Sequence, residues 1–129
     1  MPILNVKISA TDSQETTEKI NTLLLDLTSR ILKKKREVTS IAIEYVNPRD
    51  WSIGGVSLKE QGKTTFYFDI KITDETNVKD EKAHFIKEAF DGFRGIFGNI
   101  HETSYIHVED VRAATYGFGG LTQEYRYHH

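Results

Sequence analysis

The chain contains no cysteine, which excludes disulfides, thiolate nucleophiles and cysteine metal sites. No apolar run approaches the roughly 18 residues needed to cross a bilayer. The first residues lack the basic-then-apolar order of a signal peptide, because Asn5 and Lys7 interrupt them. Neither sign of charge is in excess: a net charge of −2 gives no electrostatic hold on nucleic acid or an acidic membrane. A cytoplasmic protein with neither nucleic acid nor membrane as partner is therefore expected. Proline is scarce too. There are only two, and one of them, Pro2, stands directly behind the initiator methionine.

Met1 to Ser9 reads as a strand, with Leu4, Val6 and Ile8 on one face and Ile3, Asn5, Lys7 and Ser9 on the other. With Met1 removed, Pro2 carries a free secondary amine. An α-amine titrates at roughly 7.7–8.0, and burial or a nearby cation lowers that value. Such an amine can act as a general base near neutral pH without a histidine. Proline also tolerates the first position of an edge strand, having no donor to lose, and two residues alone favour that plainer account.

The rest of the chain supplies a comparison. Asp12 and Glu15 resemble a capping box, ahead of a helix whose stripe is Ile20, Leu23, Leu24, Leu27 and Ile31. The basic run Lys33-Lys34-Lys35-Arg36 suits the negative end of the helix dipole. Val38 to Val46 forms a second strand, rich in β-branched residues. Asn47-Pro48-Arg49-Asp50 turns the chain into Trp51-Ser52-Ile53-Gly54-Gly55. The second half repeats this order. Phe68, Ile70 and Ile72 in the strand Thr64 to Thr73 match Leu4, Val6 and Ile8 at an offset of 64 (72 − 8). Asn77 and Asp80 are candidate caps for a helix whose stripe, Ile86, Ala89, Phe90, Phe93 and Phe97, matches the first at 66 (86 − 20). Tyr116-Gly117-Phe118-Gly119-Gly120 matches Trp51 to Gly55 at 65 (116 − 51).

Each half is thus a strand–helix–strand unit with parallel strands, because a helical crossover joins them. The expected fold is α/β (α+β): one domain, 1–129, of two fused β-α-β pseudo-repeats, 1–62 and 63–129. They form a four-stranded sheet with two helices on one face and short C-terminal hairpin strands. Val6, Ile8, Ile41, Ile43, Phe68 and Ile70 look like more apolar side chains than one face needs. That predicts an uncovered apolar face buried against other copies of the chain.

Proline after the start methionine, a β-α-β unit of this length and an apolar-Gly-Gly ending together resemble the tautomerase superfamily. The first half, from Pro2 through Ile53-Gly54-Gly55, is similar to the small 4-oxalocrotonate tautomerases. The full length is similar to the fused members, such as macrophage migration inhibitory factor and malonate semialdehyde decarboxylase, on Ile41-Ala42-Ile43-Glu44-Tyr45-Val46 and Tyr105-Ile106-His107. The resemblance implies a homotrimer with Pro2 as the catalytic amine. The second-unit counterpart of Pro2 is Phe66 (2 + 64), which has an ordinary peptide nitrogen. Arg36 falls where the inhibitory factor has its pocket lysine, Tyr105 on its pocket tyrosine and His107 on its pocket asparagine. Trp51 matches the aromatic wall of the 4-oxalocrotonate tautomerase pocket, and it equally suits a hydrophobic anchor between subunits. Tyr116 is its counterpart in the second half.

This chain also departs from the family pattern. Asp12 and Ala42 stand where the 4-oxalocrotonate tautomerases place arginines, and Thr73-Asp74-Glu75-Thr76 where the decarboxylase has an arginine pair. This implies a monoacid or a neutral enol as substrate, or else that Arg36 and Arg49 hold the carboxylate instead. The function these residues imply is keto–enol proton transfer on a small enol or 2-oxo acid. The alternatives are conjugate hydration or decarboxylation with protonated Pro2 as acid, or a trimeric binding protein without catalysis. No cofactor and no metal are expected: His84 and Glu88 make a solvated pair on a helix, without a third ligand. His107 and Glu109 share a strand face, as a relay or a structural pair. Gly117-Phe118-Gly119-Gly120 does not read as a nucleotide loop: it follows the last strand, and no helix is expected after it to bind phosphate.

Overall fold

A computed structural model describes residues 2–129. Its elements are β1 (Ile3–Ile8), α1 (Gln14–Arg30), β2 (Ser40–Tyr45), β3 (Ser52–Ile53), β4 (Val56–Ser57), α2 (Leu58–Gln61), β5 (Phe66–Thr73), α3 (Lys79–Phe97), β6 (Tyr105–Val111), β7 (Gly117–Phe118), β8 (Leu121–Thr122) and α4 (Gln123–His128). The four long strands lie in the order β2-β1-β5-β6. β1 runs parallel to β2, and β5 parallel to β6. The two units meet at an antiparallel seam between β1 and β5, with Leu4 opposite Ile70 and Val6 opposite Phe68. This is the expected α+β sheet with two helices on one face, and a short hairpin closes each unit; contrary to expectation, a helix, α4, follows Gly119-Gly120.

The helices begin where local hydrogen bonding lets them. Ser13, not Asp12, caps α1, its hydroxyl accepting from the Thr16 N–H at 3.2 Å. Neither Asn77 nor Asp80 caps α3. Val78 holds the N-cap position, and the Glu81 carboxylate reaches back to the Val78 N–H at 3.0 Å. Each hairpin turns on two glycines with positive φ, Gly54 and Gly55 at 65° and 82°, Gly119 and Gly120 at 62° and 82°. Two consecutive residues in this region make the turn that matches strand twist, and glycine enters it without a Cβ clash.

One core lies between the sheet and the helices. From the strands it takes Leu4, Val6, Ile8, Phe66, Phe68, Ile70 and Ile72; from α1 and α3 it takes Ile20, Leu24, Leu27, Phe85, Ala89 and Phe93. The rings of Phe66 and Phe93 stack with centroids 4.0 Å apart, and Phe85 meets Phe68 edge-on at 6.1 Å. Leu23 sits against Gly92, where a Cβ would come within 2.5 Å of its side chain, so the two helices approach closely there.

Two expectations need correcting. The α3 stripe turns on Phe85, while Ile86 is 38% exposed. The helical repeat is therefore 65 (85 − 20), one residue less than the hydrophobic pattern suggested, because Phe85 and Ile86 are both apolar and the pattern admits either. The uncovered face of the sheet is not apolar. Ile41, Ile43 and the other inward residues pack against the helical core, and the open face carries Asn5, Lys7, Glu44, Tyr67, Asp69, Lys71, His107 and Glu109. Strand alternation sends every second residue there, and apart from Ile3, Ala42 and Val111 those residues are polar or tyrosine.

Replacing Phe93 by Ala removes the ring that stacks on Phe66. Its cost is expected at about 3–5 kcal/mol, measured as a loss of unfolding free energy in urea.

Candidate active site

The two ends of the sheet carry different chemistry. At one end β1 begins and β5 finishes. Pro2 is buried there, and its carbonyl accepts from the Ser40 N–H at 3.1 Å. The register that sets Ile3 opposite Lys71 continues to place Pro2 opposite Ile72. Because β6 runs parallel to β5, it also ends here, and a turn at Ala113–Thr115 brings in Tyr116. The Tyr116 hydroxyl donates to the Lys71 carbonyl at 3.3 Å. Burial raises its pKa, against the lowering effect of a hydrogen bond from the Ile3 backbone and of the Lys71 charge. Met1, whose removal a free amine requires, lies outside the described residues.

A cavity of about 590 Å³ opens at this end. Leu32, Lys33, Lys34, Lys35 and Val38 line it from the α1–β2 connection, and Thr73, Thr76, Asn77 and Glu81 from the β5–α3 connection. Phe118, Gln123, Arg126 and Tyr127 close it from the C-terminal hairpin and α4. Pro2 is not in the lining, but Thr73 and Val38 are, close to its neighbours in the sheet. The backbone explains which lysine turns inward. Lys33 adopts a left-handed φ of 59° after the helix, and the chain then doubles back so that the Lys34 N–H donates to the Thr28 carbonyl at 3.2 Å. The Lys34 ammonium donates to the Thr76 hydroxyl at 2.8 Å, and the Lys33 ammonium lies 3.6 Å from Glu81.

The cavity is electropositive: Lys33, Lys34, Lys35 and Arg126 face one carboxylate, Glu81. Burial pushes the Lys34 ammonium below the ordinary lysine value, and the charges of Glu81 and Asp110 oppose this only in part. The Glu81 carboxyl is held below its usual value by the Val78 N–H first, then by Asn77 and Lys33. Arg126 is fixed by a hydrogen bond to the Phe118 carbonyl at 3.0 Å and by stacking on the Phe118 ring at 3.8 Å. A small molecule with a carboxylate matches these charges.

Of the residues marked in the sequence, the fold brings Pro2 and Tyr116 to this end. Arg36 is exposed, in a short turn at Arg36–Val38, and does not line the cavity. Arg49 is exposed and ion-paired to Asp50 at 3.5 Å. Trp51 lines a different recess of about 380 Å³, beside Lys7, Val46 and Tyr67, at the far end of the sheet. Tyr105 is 65% exposed and pairs with Tyr67, which in turn pairs with Lys7. Five residues of strand separate that level from Pro2, roughly 17 Å at 3.3 Å per residue. His107 is exposed on the open face, paired with Asp69 in the neighbouring strand. Glu109 on the same face is engaged by Lys71, 3.6 Å away. Burial pulls Lys71 down, but Asp69 and Glu109 together outweigh it and raise its pKa. His84 and Glu88 form the solvated pair expected, 3.3 Å apart. Among the described residues no cluster of His, Cys, Asp or Glu has the form of a metal site. Sequence reasoning missed Lys34, Gln123 and Arg126. Lys34 was hidden inside a run of four like charges, and only the left-handed residue before it singles it out.

Solved structures share this arrangement over almost the whole chain. A native fused 4-OT superimposes with a TM-score of 0.84 at 13% identity, covering 95% of this chain and 97% of its own. An asymmetric trimer of a fused 4-OT gives 0.83 at 13%, covering 96% and 98%. A macrophage migration inhibitory factor homologue from Prochlorococcus marinus gives 0.75 at 18%, covering 93% and 97%. The chain has the tautomerase-superfamily fold. No family model and no curated protein matches its sequence, so at these identities the likeness extends to the fold and leaves the chemistry to the site. No helix among the described residues is long and apolar enough to cross a membrane.

The depressed pKa of Lys34 has a sign that can be tested. Between its folded pKa and the ordinary 10.5, the unfolded chain binds more protons than the folded one, so stability rises with pH through that window. Below it the buried charge is a constant penalty. Lys34→Met is therefore expected to be more stable than the native chain at pH 7, with the advantage shrinking as pH approaches 10.5. Urea unfolding at both pH values measures this, and an equal difference at both would rule out burial of the charge as its cause.

Proposed function

We propose that the protein is a tautomerase, moving a proton between oxygen and carbon of a small, carboxylate-bearing enol or 2-oxo acid. The amine of Pro2, freed by removal of Met1, is its general base. The observation that carries this reading is the place of Pro2: buried, immediately before β1, at the sheet end that opens into the lysine-rich cavity. Desolvation and neighbouring ammonium groups both disfavour a protonated amine, so its pKa falls below the ordinary range of roughly 7.7–8.0. The neutral nitrogen takes the enol hydroxyl proton as the carbonyl forms, and the resulting ammonium returns a proton at carbon.

Lys34 and Arg126 are the cations best placed to hold the carboxylate and steady the developing oxyanion. Tyr116 lies at this end of the sheet, on the Lys71 carbonyl and outside the cavity lining. Arg36, Arg49, Trp51, Tyr105 and His107 serve, in this reading, from a neighbouring chain or from the cavity rim. A head-to-tail contact between the far end of one sheet and the Pro2 end of the next closes into a ring, and fused 4-OT proteins of this fold form trimers. A homotrimer would then complete three sites. Conjugate hydration or decarboxylation would need an amine that keeps its proton at neutral pH, and the four cations weigh against that.

Ketonisation of phenylenolpyruvate is expected to fall by about 10²–10⁴-fold in Pro2→Ala, and native mass to correspond to three chains. Activity unchanged by that substitution would remove Pro2 from the mechanism. A Pro2 amine titrating at or above the ordinary range of roughly 7.7–8.0, followed by NMR, would exclude the base role.

A further inference from the structure

The hairpins and short helices that close the two units correspond residue by residue, and at one buried position they differ in kind. Leu58 and Gln123 each open the short helix after a Gly-Gly hairpin, 65 residues apart (123 − 58). The Leu58 N–H donates to the Trp51 carbonyl at 2.9 Å, and the Gln123 N–H to the Tyr116 carbonyl at 2.7 Å. A hydroxyl caps each helix, from Ser57 and from Thr122. Both side chains turn inward, Leu58 1% and Gln123 7% exposed. A leucine therefore satisfies this place in the fold, and the local geometry does not call for an amide.

Gln123 nevertheless brings polar atoms into the wall of the lysine cavity. Its Nε2 donates to the Thr73 hydroxyl at 3.4 Å, and its Oε1 is buried with no hydrogen-bond partner among the described residues. An unsatisfied buried acceptor carries a penalty that leucine would avoid. Such a group is explained if a ligand brings its partner.

We propose that Gln123 is the specificity-determining residue of this cavity, where its amide receives a hydroxyl carried close to the ligand's carboxylate. The site then selects enol and 2-hydroxy acids over acids lacking that oxygen. This rests on the reading of the cavity as the substrate site, with the carboxylate among Lys34, Lys35 and Arg126. A hydroxyl both donates and accepts, so it serves the amide whichever way the amide is turned. Thr73 holds the amide on the strand that borders Pro2, one residue from the pair Pro2 and Ile72.

The test uses two acids that differ only by the hydroxyl and cannot tautomerise, 3-phenyllactate and 3-phenylpropanoate, titrated calorimetrically into the full chain. The native protein is expected to bind the hydroxy acid about tenfold more tightly, the worth of one hydrogen bond. Gln123→Leu, which installs the residue of the first unit, is expected to bring the ratio to about one while 3-phenylpropanoate still binds. Gln123→Met removes the amide at similar length, should leucine disturb the hairpin. A native protein that binds neither acid, or shows no preference, overturns the proposal. So does an unchanged ratio in a folded variant, the result if a trapped water satisfies the amide. Pro2→Ala should keep the preference, so loss of turnover and loss of selectivity report separately on the catalytic reading and on this one.

Discussion

The antiparallel pairing of β1 with β5 is the constraint on which the rest of the molecule depends. Each unit alone is a parallel strand pair with a helix on one face, too small to enclose a core. The seam joins them through Leu4, Val6 and Ile8 against Ile70, Phe68 and Phe66, all essentially inaccessible to solvent. Its antiparallel sense also decides which chain segments meet. The start of the first unit lies beside the finish of the second, so Pro2 shares an end with Tyr116 and α4, while Trp51 and α2 go to the other.

Those two ends are built to one plan and furnished differently. At the Trp51 end the polar groups are used up in structure: Asn99 donates to the Gly62 carbonyl at 2.8 Å, His101 bonds to Gln61 at 3.1 Å, and Thr65 bonds to Ser104 at 2.9 Å. The position 65 residues before Asn99 (99 − 65) is Lys34, which instead carries a partly buried charge into a cavity. Leu58 closes one end with hydrocarbon, and Gln123 brings to the other an oxygen with no partner among the described residues. Polar capacity left over at one end, and consumed at its counterpart, distinguishes a site from a scaffold within a single chain.

The open face of the sheet shows the same economy. Asp69 accepts from Tyr67 and Lys71, and Lys71 also reaches Glu109, so its charges are knitted within the chain. Burial, then the neighbouring Asp69, raises the Tyr67 pKa and keeps the phenol protonated. A polar face of this kind suits contact through matched charges and water better than a dry hydrophobic seam.

Periodicity and repetition made most of the architecture legible. The alternation of Leu4, Val6 and Ile8, the stripe from Ile20 to Ile31 and the paired glycines each report a local preference that tertiary structure reinforced. Phe85 and Ile86 show where that ends, since adjacent apolar residues leave a helix's rotation open until another helix packs against it. Pro2 stood out by itself, because an imino acid behind the initiator methionine is a chemical fact of the chain. Which side chains share its surroundings is another matter. Lys34 lies far in sequence from Gln123 and Arg126, and all three are ordinary residue types. They come together because the antiparallel seam folds the end of the chain back onto its beginning, and no local preference encodes that proximity. The chain alone determined the units, their repetition and a proline at position 2; only the tertiary structure decided which side chains share its end of the sheet, because direction along the seam is a long-range choice.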